Sequence, residues 1–248
     1  MVSCMNSTKN NTREDLSILR HSCAHIMASA VKALYPAVKI AIGPSTADGF
    51  YYDFDREDPF TPEDLERITD KMKEIIQQDL PFERQEKKKD KVIQFFQEKG
   101  EVYKVELLHE IPDEDVSLYQ TGDFIDLCRG PHVKSSGRVK HFKLLEVAAA
   151  YWRGDEKRGI SLQRIYGTAF HTDQELQDYL SLLEEAKKRD HRKLGRELDL
   201  YSVHQEAGAG LIFWHPKGAR IRKVIEDFWE EEHLKNGNKE FKNNKDDN

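Results

Sequence analysis

The sequence predicts an α+β fold in which an antiparallel sheet has a helix packed across it. Three observations predict it. Apolar residues recur at helical spacing from Leu16 to Leu34, two short β-type runs flank Gly-Pro and Asp-Gly turns between residues 38 and 54, and longer strand-like runs occupy residues 140–151 and 161–170. A three-to-four-residue period marks a helix with one buried face, and turn residues between β-prone runs mark a hairpin.

The elements follow in order. Residues 1–12 are polar and Asn-rich, the composition of a disordered leader. The first helix runs from Glu14 through Leu16, Leu19, Cys23, Ile26, Met27, Ala30, Val31 and Leu34, and ends before Pro36. On it His21 and His25 share one edge, and Cys23 projects to the opposite side as a small core residue. Val38–Ile42 and Phe50–Phe54 form the hairpin. Thr61-Pro62-Glu63-Asp64 opens a second helix, with a capping hydroxyl, proline at the first position and acids in the first turn. A third runs from near Asp90 to Gly100. Strand-like runs follow at Val102–Leu108, Lys140–Tyr151 and Ser161–Phe170. Thr172 to Glu175 fits a capping box, opening a linker helix over 172–195. Leu198–Trp214 reads as a new beginning, and Pro216 opens an amphipathic helix through Ile221, Val224, Ile225 and Phe228. The segment 238–248 has no apolar pattern and reads as a disordered tail.

Composition narrows the function classes. The chain has 248 residues, 38% hydrophobic and 34% charged, with a net charge of −6 and three cysteines. No apolar run approaches the roughly 18 residues that span a bilayer. The N-terminal residues lack the apolar core of a secretory signal. Few cysteines and no such signal predict reduced thiols and a cytoplasmic home. The net charge gives no general argument for nucleic-acid binding, although basic clusters stand at Lys87–Lys91 and Lys187–Arg196.

Two pairs of residues carry the chemistry. His21 and His25 stand four apart on a helix, where such residues are neighbours about 5–6 Å apart. Cys128 and His132 stand four apart around Gly130-Pro131, which breaks a helix and makes a turn. Three imidazoles and one thiol form either a metal site or a water-activating site.

Several motifs make a resemblance specific. His21-Ser-Cys-Ala-His25, Ala41-Ile-Gly-Pro44, Gly49-Phe-Tyr-Tyr-Asp53, Asp126-Leu-Cys-Arg-Gly-Pro-His132, Ala150-Tyr-Trp-Arg-Gly-Asp155 and Gln163-Arg-Ile-Tyr-Gly-Thr168 closely resemble, in order and spacing, the editing domain of bacterial-type threonyl-tRNA synthetases. Arg189-Asp-His-Arg-Lys193 and Leu198-Asp-Leu-Tyr201 resemble the linker and opening of that family's class II catalytic domain. The resemblance runs from about Arg13 to Gly237. It implies an editing domain over 13–171, a linker over 172–195 and a truncated catalytic start over 196–237, and it implies that this chain alone does not charge tRNA.

The resemblance implies hydrolysis of mischarged seryl-tRNA(Thr), with the serine-bearing acceptor end as partner. One methyl separates serine from threonine, and binding discriminates a methyl by only about 1–3 kcal/mol, so a hydrolytic second site closes the gap. His21 and His25 would position and deprotonate the water. Lys104 matches a family site position and would orient water or stabilise the carbonyl oxygen. Asp126 would pair with the serine ammonium, and Tyr52 would wall the pocket or pack on the terminal nucleoside. Cys128 and His132 would line the side-chain pocket. Arg129 joins the substrate-binding residues as a phosphate contact, with a structural ion pair as its equal alternative. The threonyl family is understood to edit without metal, so no cofactor is expected. Zinc at His21, His25, Cys128 and His132, as in the related alanyl editing domains, is the alternative, and an inactive tRNA-binding fragment is another. A monomer or weak dimer is expected.

Overall fold

The computed structural model describes residues 5–208 and 210–236, and of residues 5–15 and Gln205 the backbone alone. The expected tail at 238–248 and the first four residues of the expected leader lie outside the described residues. The chain forms two compact units, residues 1–178 and 179–248.

In the first unit the leading helix α1 covers Met5–Leu34, starting earlier than the apolar stripe indicates. It lies on a four-stranded sheet of β1 (Lys39–Ile40), β2 (Phe50–Asp55), β6 (His141–Tyr151) and β7 (Ser161–Phe170), in the order β1-β2-β7-β6 with every pair antiparallel. Alternation on β2 turns Phe50, Tyr52 and Phe54 inward, where they meet Ile26, Met27, Ala30 and Val31 of α1 in one core. Complete burial of each such side chain stabilises by about 1.5–3 kcal/mol. The hairpin passes close beneath Tyr52: a Cβ on Gly43 would come within 2.0 Å of that ring, so only hydrogen fits there. Helix α2 (Pro62–Gln77) adds Ile68 and Met72 to this core, and Thr61 closes the capping box with Asp64 as its sequence indicates.

A three-stranded sheet, β3 (Glu83–Lys88), β4 (Asp115–Thr121) and β5 (Phe124–Leu127), carries the opposing side of the site. Val116 and Leu118 of β4 pack on α3 (Lys89–Glu98) and α4 (Val102–Glu110) through Val92, Phe96 and Leu108. Helix α4 corrects the strand expected at Val102–Leu108. Its residues alternate, yet Tyr103, Lys104 and Leu108 are the buried ones, which is the one-sided spacing of a short helix. Strand β3 has no apolar pattern; it forms because its backbone pairs in register with β4, from Glu83–Gln120 to Lys88–Asp115.

Helix α5 (Asp173–Lys188) opens with the expected capping box, Thr172 and Glu175 exchanging hydrogen bonds of 3.2 and 3.1 Å. The single helix expected over 172–195 is broken. Asp190 leaves helical geometry and its carboxylate caps α6 (His191–Glu197) by accepting from the Arg192 and Lys193 amides. The division between the two units falls within α5. In the second unit β8 (Tyr201–Val203) and β9 (Ile212–Trp214) pair antiparallel, and α7 (Pro216–Lys235) starts on its proline. The expected stripe Ile221, Val224, Ile225 and Phe228 is exposed in this unit. No helix among the described residues is long and apolar enough to cross a membrane.

Candidate active site

Both pairs singled out in the sequence meet in the first unit. Helix α1 presents His21 and His25, with ring centroids 5.0 Å apart. The turn after β5 brings His132 to 4.4 Å from His21 and 4.3 Å from His25, ring to ring. Cys128 Sγ lies 3.4 Å from His21 Nε2 and 3.3 Å from His132 Nε2. One donor atom from each of the four falls within 4.8 Å of every other.

The turn is held in place by several contacts. Gly130 adopts φ 70°, and a Cβ there would strike the Tyr119 hydroxyl at 2.3 Å. Its amide donates to Cys128 Sγ at 3.2 Å. Phe82 stacks flat on the His132 ring, with centroids 4.8 Å apart and planes inclined by 8°, and Tyr119 meets the same ring edge-on. Ser22 ties the turn to α1. Its hydroxyl accepts from the Val133 amide at 3.0 Å, donates to the Ile18 carbonyl at 2.8 Å and stands 3.1 Å from His132 Nδ1. With its single proton given to Ile18, Ser22 can only accept from His132, which fixes that imidazole with its proton on Nδ1 and its Nε2 lone pair toward Cys128.

Beside this cluster lies a buried charged group. Lys104 Nζ stands 2.5 Å from Asp126 Oδ1 and donates to the Tyr52 hydroxyl at 2.9 Å; Tyr52 in turn donates to Asp126 Oδ2 at 2.6 Å. Asp126 Oδ1 receives no hydrogen bond of acceptable angle, so its contact with Lys104 is an ion pair without a directed bond. His25 Nδ1 is 3.7 Å from Asp126 Oδ2, too far for a hydrogen bond. Lys104 is set in place one turn earlier. Glu101, at the start of α4, accepts from Lys32 of α1 at 2.7 Å and from the Ile40 amide at 2.9 Å, anchoring the helix against α1 and β1.

Burial divides the protonation behaviour. It lowers His21, takes His25 well below the ordinary 6.5 with help from His21 and Lys104, and takes His132 to about 2. The same effect raises the Cys128 thiol to about 11 and the Tyr52 phenol well above 10. Near neutral pH the cluster is therefore three uncharged imidazoles and a protonated thiol.

Of the sequence-selected residues, His21, His25, Cys128 and His132 converge, and Lys104, Asp126 and Tyr52 adjoin them. Tyr52 is fully buried, with its hydroxyl between Lys104 and Asp126. Asp126 is 1% exposed and lies against Lys104. Arg129 is exposed and lines an opening together with Cys128. Ser22, Phe82 and Tyr119 were missed. Ser22 had a signal, lying inside the His21–His25 motif; Phe82 and Tyr119 belong to a sheet that the sequence does not reveal.

Residues 116–166 match the family model described as the threonyl and alanyl tRNA synthetase second additional domain. That segment supplies Asp126, Cys128 and His132. Over 224 residues, 90% of the chain, it is 58% identical to the threonine--tRNA ligase of Geobacter sp. strain M21 and 55% identical to that of Oleidesulfovibrio alaskensis. It is 56% identical over 230 residues to that of Carboxydothermus hydrogenoformans. These matches support a threonyl-tRNA synthetase editing-domain fragment. The chain spans 35% to 36% of the length of these relatives. The matched length exceeds that of the first unit, and β2 and α4, which supply Tyr52 and Lys104, fall within it.

Proposed function

We propose that the cluster hydrolyses the ester joining serine to the 3′-terminal ribose of mischarged tRNA(Thr). The observation that supports this reading is the meeting of three neutral imidazoles with the Lys104–Asp126 ion pair. A neutral imidazole can accept a proton from water, and His21 is the best placed to do so. It is more exposed than His25, and a hydrogen bond to the Pro131 carbonyl holds its ring. Lys104 donates to the Tyr52 hydroxyl and lies against Asp126 as an ion pair, and its ammonium beside the imidazoles meets the oxygen on which charge develops. Water attacks the ester carbonyl as His21 takes its proton. The carbon–oxygen bond to the ribose then breaks, and the proton passes to the leaving 3′ oxygen, giving serine and tRNA. Cys128 and His132 line the place of the serine side chain and would exclude the extra methyl of threonine.

Zinc is the second reading, and the four donors fit it in kind. Tetrahedral nitrogen and sulfur ligands of zinc stand about 3.3–3.6 Å apart, and Cys128 Sγ meets two imidazoles at 3.4 and 3.3 Å. His21, His25, Cys128 and His132 would hold the ion, which when bound supplies Lewis acidity. Four protein ligands leave no open position for water in a tetrahedral site, which favours direct catalysis by the side chains. Multiple-turnover release of serine from seryl-tRNA tests the proposal: His21→Ala and Lys104→Ala are expected to lose most of the activity, and full activity in both would refute it.

A further inference from the structure

Two openings reach the cluster, and they differ in charge. The first touches Cys128 and is lined by Glu86, Glu110, Asp113 and Asp115 against only Arg84 and Arg129. Arg84 is further engaged by Glu86 at 2.7 Å. The second touches His132 and is a broad groove of about 1240 Å³ that carries Lys134, Arg138, Lys140 and a single carboxylate, Asp79. That carboxylate is turned to internal use, accepting from the Gly137 amide at 3.0 Å and from the Ser135 hydroxyl. Among the described residues Lys134, Arg138 and Lys140 make no ion pair, and all three are exposed. Unneutralised cations on one side of a reactive site stand out in a chain whose net charge is −6.

A polyanion is drawn to the basic opening and repelled from the acidic one, because clefts lined by one sign of charge focus the field. Resting on the hydrolytic reading above, we infer that the single-stranded 3′ end of the RNA enters along the groove of Lys134, Arg138 and Lys140. Its phosphodiesters lie on these three cations, and its last nucleoside reaches the imidazoles past His132. The cations lie on the segment between His132 and the start of β6, so the turn that shapes the cluster also carries the approach path. The contacts are to phosphate, so they orient the strand without reading its bases. The Arg129 side plays no part in holding RNA.

Binding of uncharged tRNA over a series of salt concentrations tests this. The slope of log affinity against log salt reports the number of phosphates neutralised, at about 0.7 per contact for a single strand. A variant carrying Lys134→Gln, Arg138→Gln and Lys140→Gln is expected to lose about 2 from that slope and to bind on the order of tenfold or more weakly at low salt. The charge-conserving set Lys134→Arg, Arg138→Lys and Lys140→Arg is expected to keep the slope, and Arg84→Gln with Arg129→Gln to leave it unchanged or tighten binding. An unaltered slope in the first variant, a loss confined to the Arg84 and Arg129 variant, or no binding by the unaltered chain would overturn the inference. Hydrolysis of the serine 3′-ester of adenosine by the unaltered chain reads the reaction separately. That ester has no polynucleotide phosphates, so its turnover reports on the cluster and the salt slope on the groove.

Discussion

Two neighbouring groups of side chains in this molecule meet burial in opposite ways. Lys104 and Asp126 are 2% and 1% exposed and lie together as an ion pair, with the Tyr52 hydroxyl bonded to both. His21, His25 and His132 have one another as neighbours, and burial drives them to the uncharged form. Desolvation penalises charge in both places, and a charge persists only where a partner offsets the penalty. The site thus holds a charge-balanced ion pair beside neutral basic groups, the division that the proposed ester hydrolysis would use.

The largest effect is expected from unbalancing the charged group. Asp126→Asn leaves Lys104 without its counter-ion and should destabilise the fold by about 3–5 kcal/mol, read as a lower denaturant midpoint. Adding Lys104→Met should recover much of that stability without recovering activity. Equal destabilisation by the single and double variants would show that the pair is not coupled.

Removing the proposed base comes next. His21→Ala should lower kcat for seryl ester hydrolysis by about 10²–10⁴-fold while the thermal midpoint moves little, because His21 is only partly buried. A loss of stability matching the loss of activity would reduce His21 to a packing residue.

Acidification separates the two groups more gently. The unfolded chain protonates its histidines near 6.5, whereas folded His25 binds a proton only at much lower pH. The unfolded state therefore takes up protons first. Stability from this residue is fully present above pH 6.5 and falls below it by up to about 1.4 kcal/mol per pH unit. The rate should behave in the same direction: with His21 lowered, kcat/KM should stay flat as pH falls through 6.5 and inflect below it. An inflection at or above 6.5 would contradict a buried neutral base.

The smallest effect is expected at Ser22. Ser22→Ala removes the acceptor for the Val133 amide and for His132 Nδ1, costing about 1–3 kcal/mol. Nitrogen chemical shifts of His132 should then show a mixture of tautomers where the unaltered chain shows the Nδ1-protonated form alone.

What the sequence disclosed follows the same division. The imidazole cluster was legible because its parts are local: His21 and His25 share a helix face, and Cys128 and His132 share a Gly-Pro turn. The hairpin strand β2, the long strands β6 and β7 and the Thr61 cap were legible from alternation and turn chemistry. The charged group was not derivable locally. Lys104 sits in a run whose alternation reads as strand, and its helix is set by Glu101 reaching Lys32 and the Ile40 amide across the fold. Strand β3, Glu-Arg-Gln-Glu-Lys-Lys, exists through pairing with β4 and has no pattern of its own. Tyr52 and Asp126 were found as site residues, yet the hydrogen bond of Tyr52 and the ion pair of Asp126 with Lys104 are long-range facts.

The most direct test compares release of serine from seryl-tRNA(Thr) with release of threonine from threonyl-tRNA(Thr), each with and without a chelator. The account predicts multiple-turnover hydrolysis of the seryl ester, much slower hydrolysis of the threonyl ester, and no change on chelation. Equal rates for the two esters, no turnover, or activity lost to chelator and restored by zinc would contradict it.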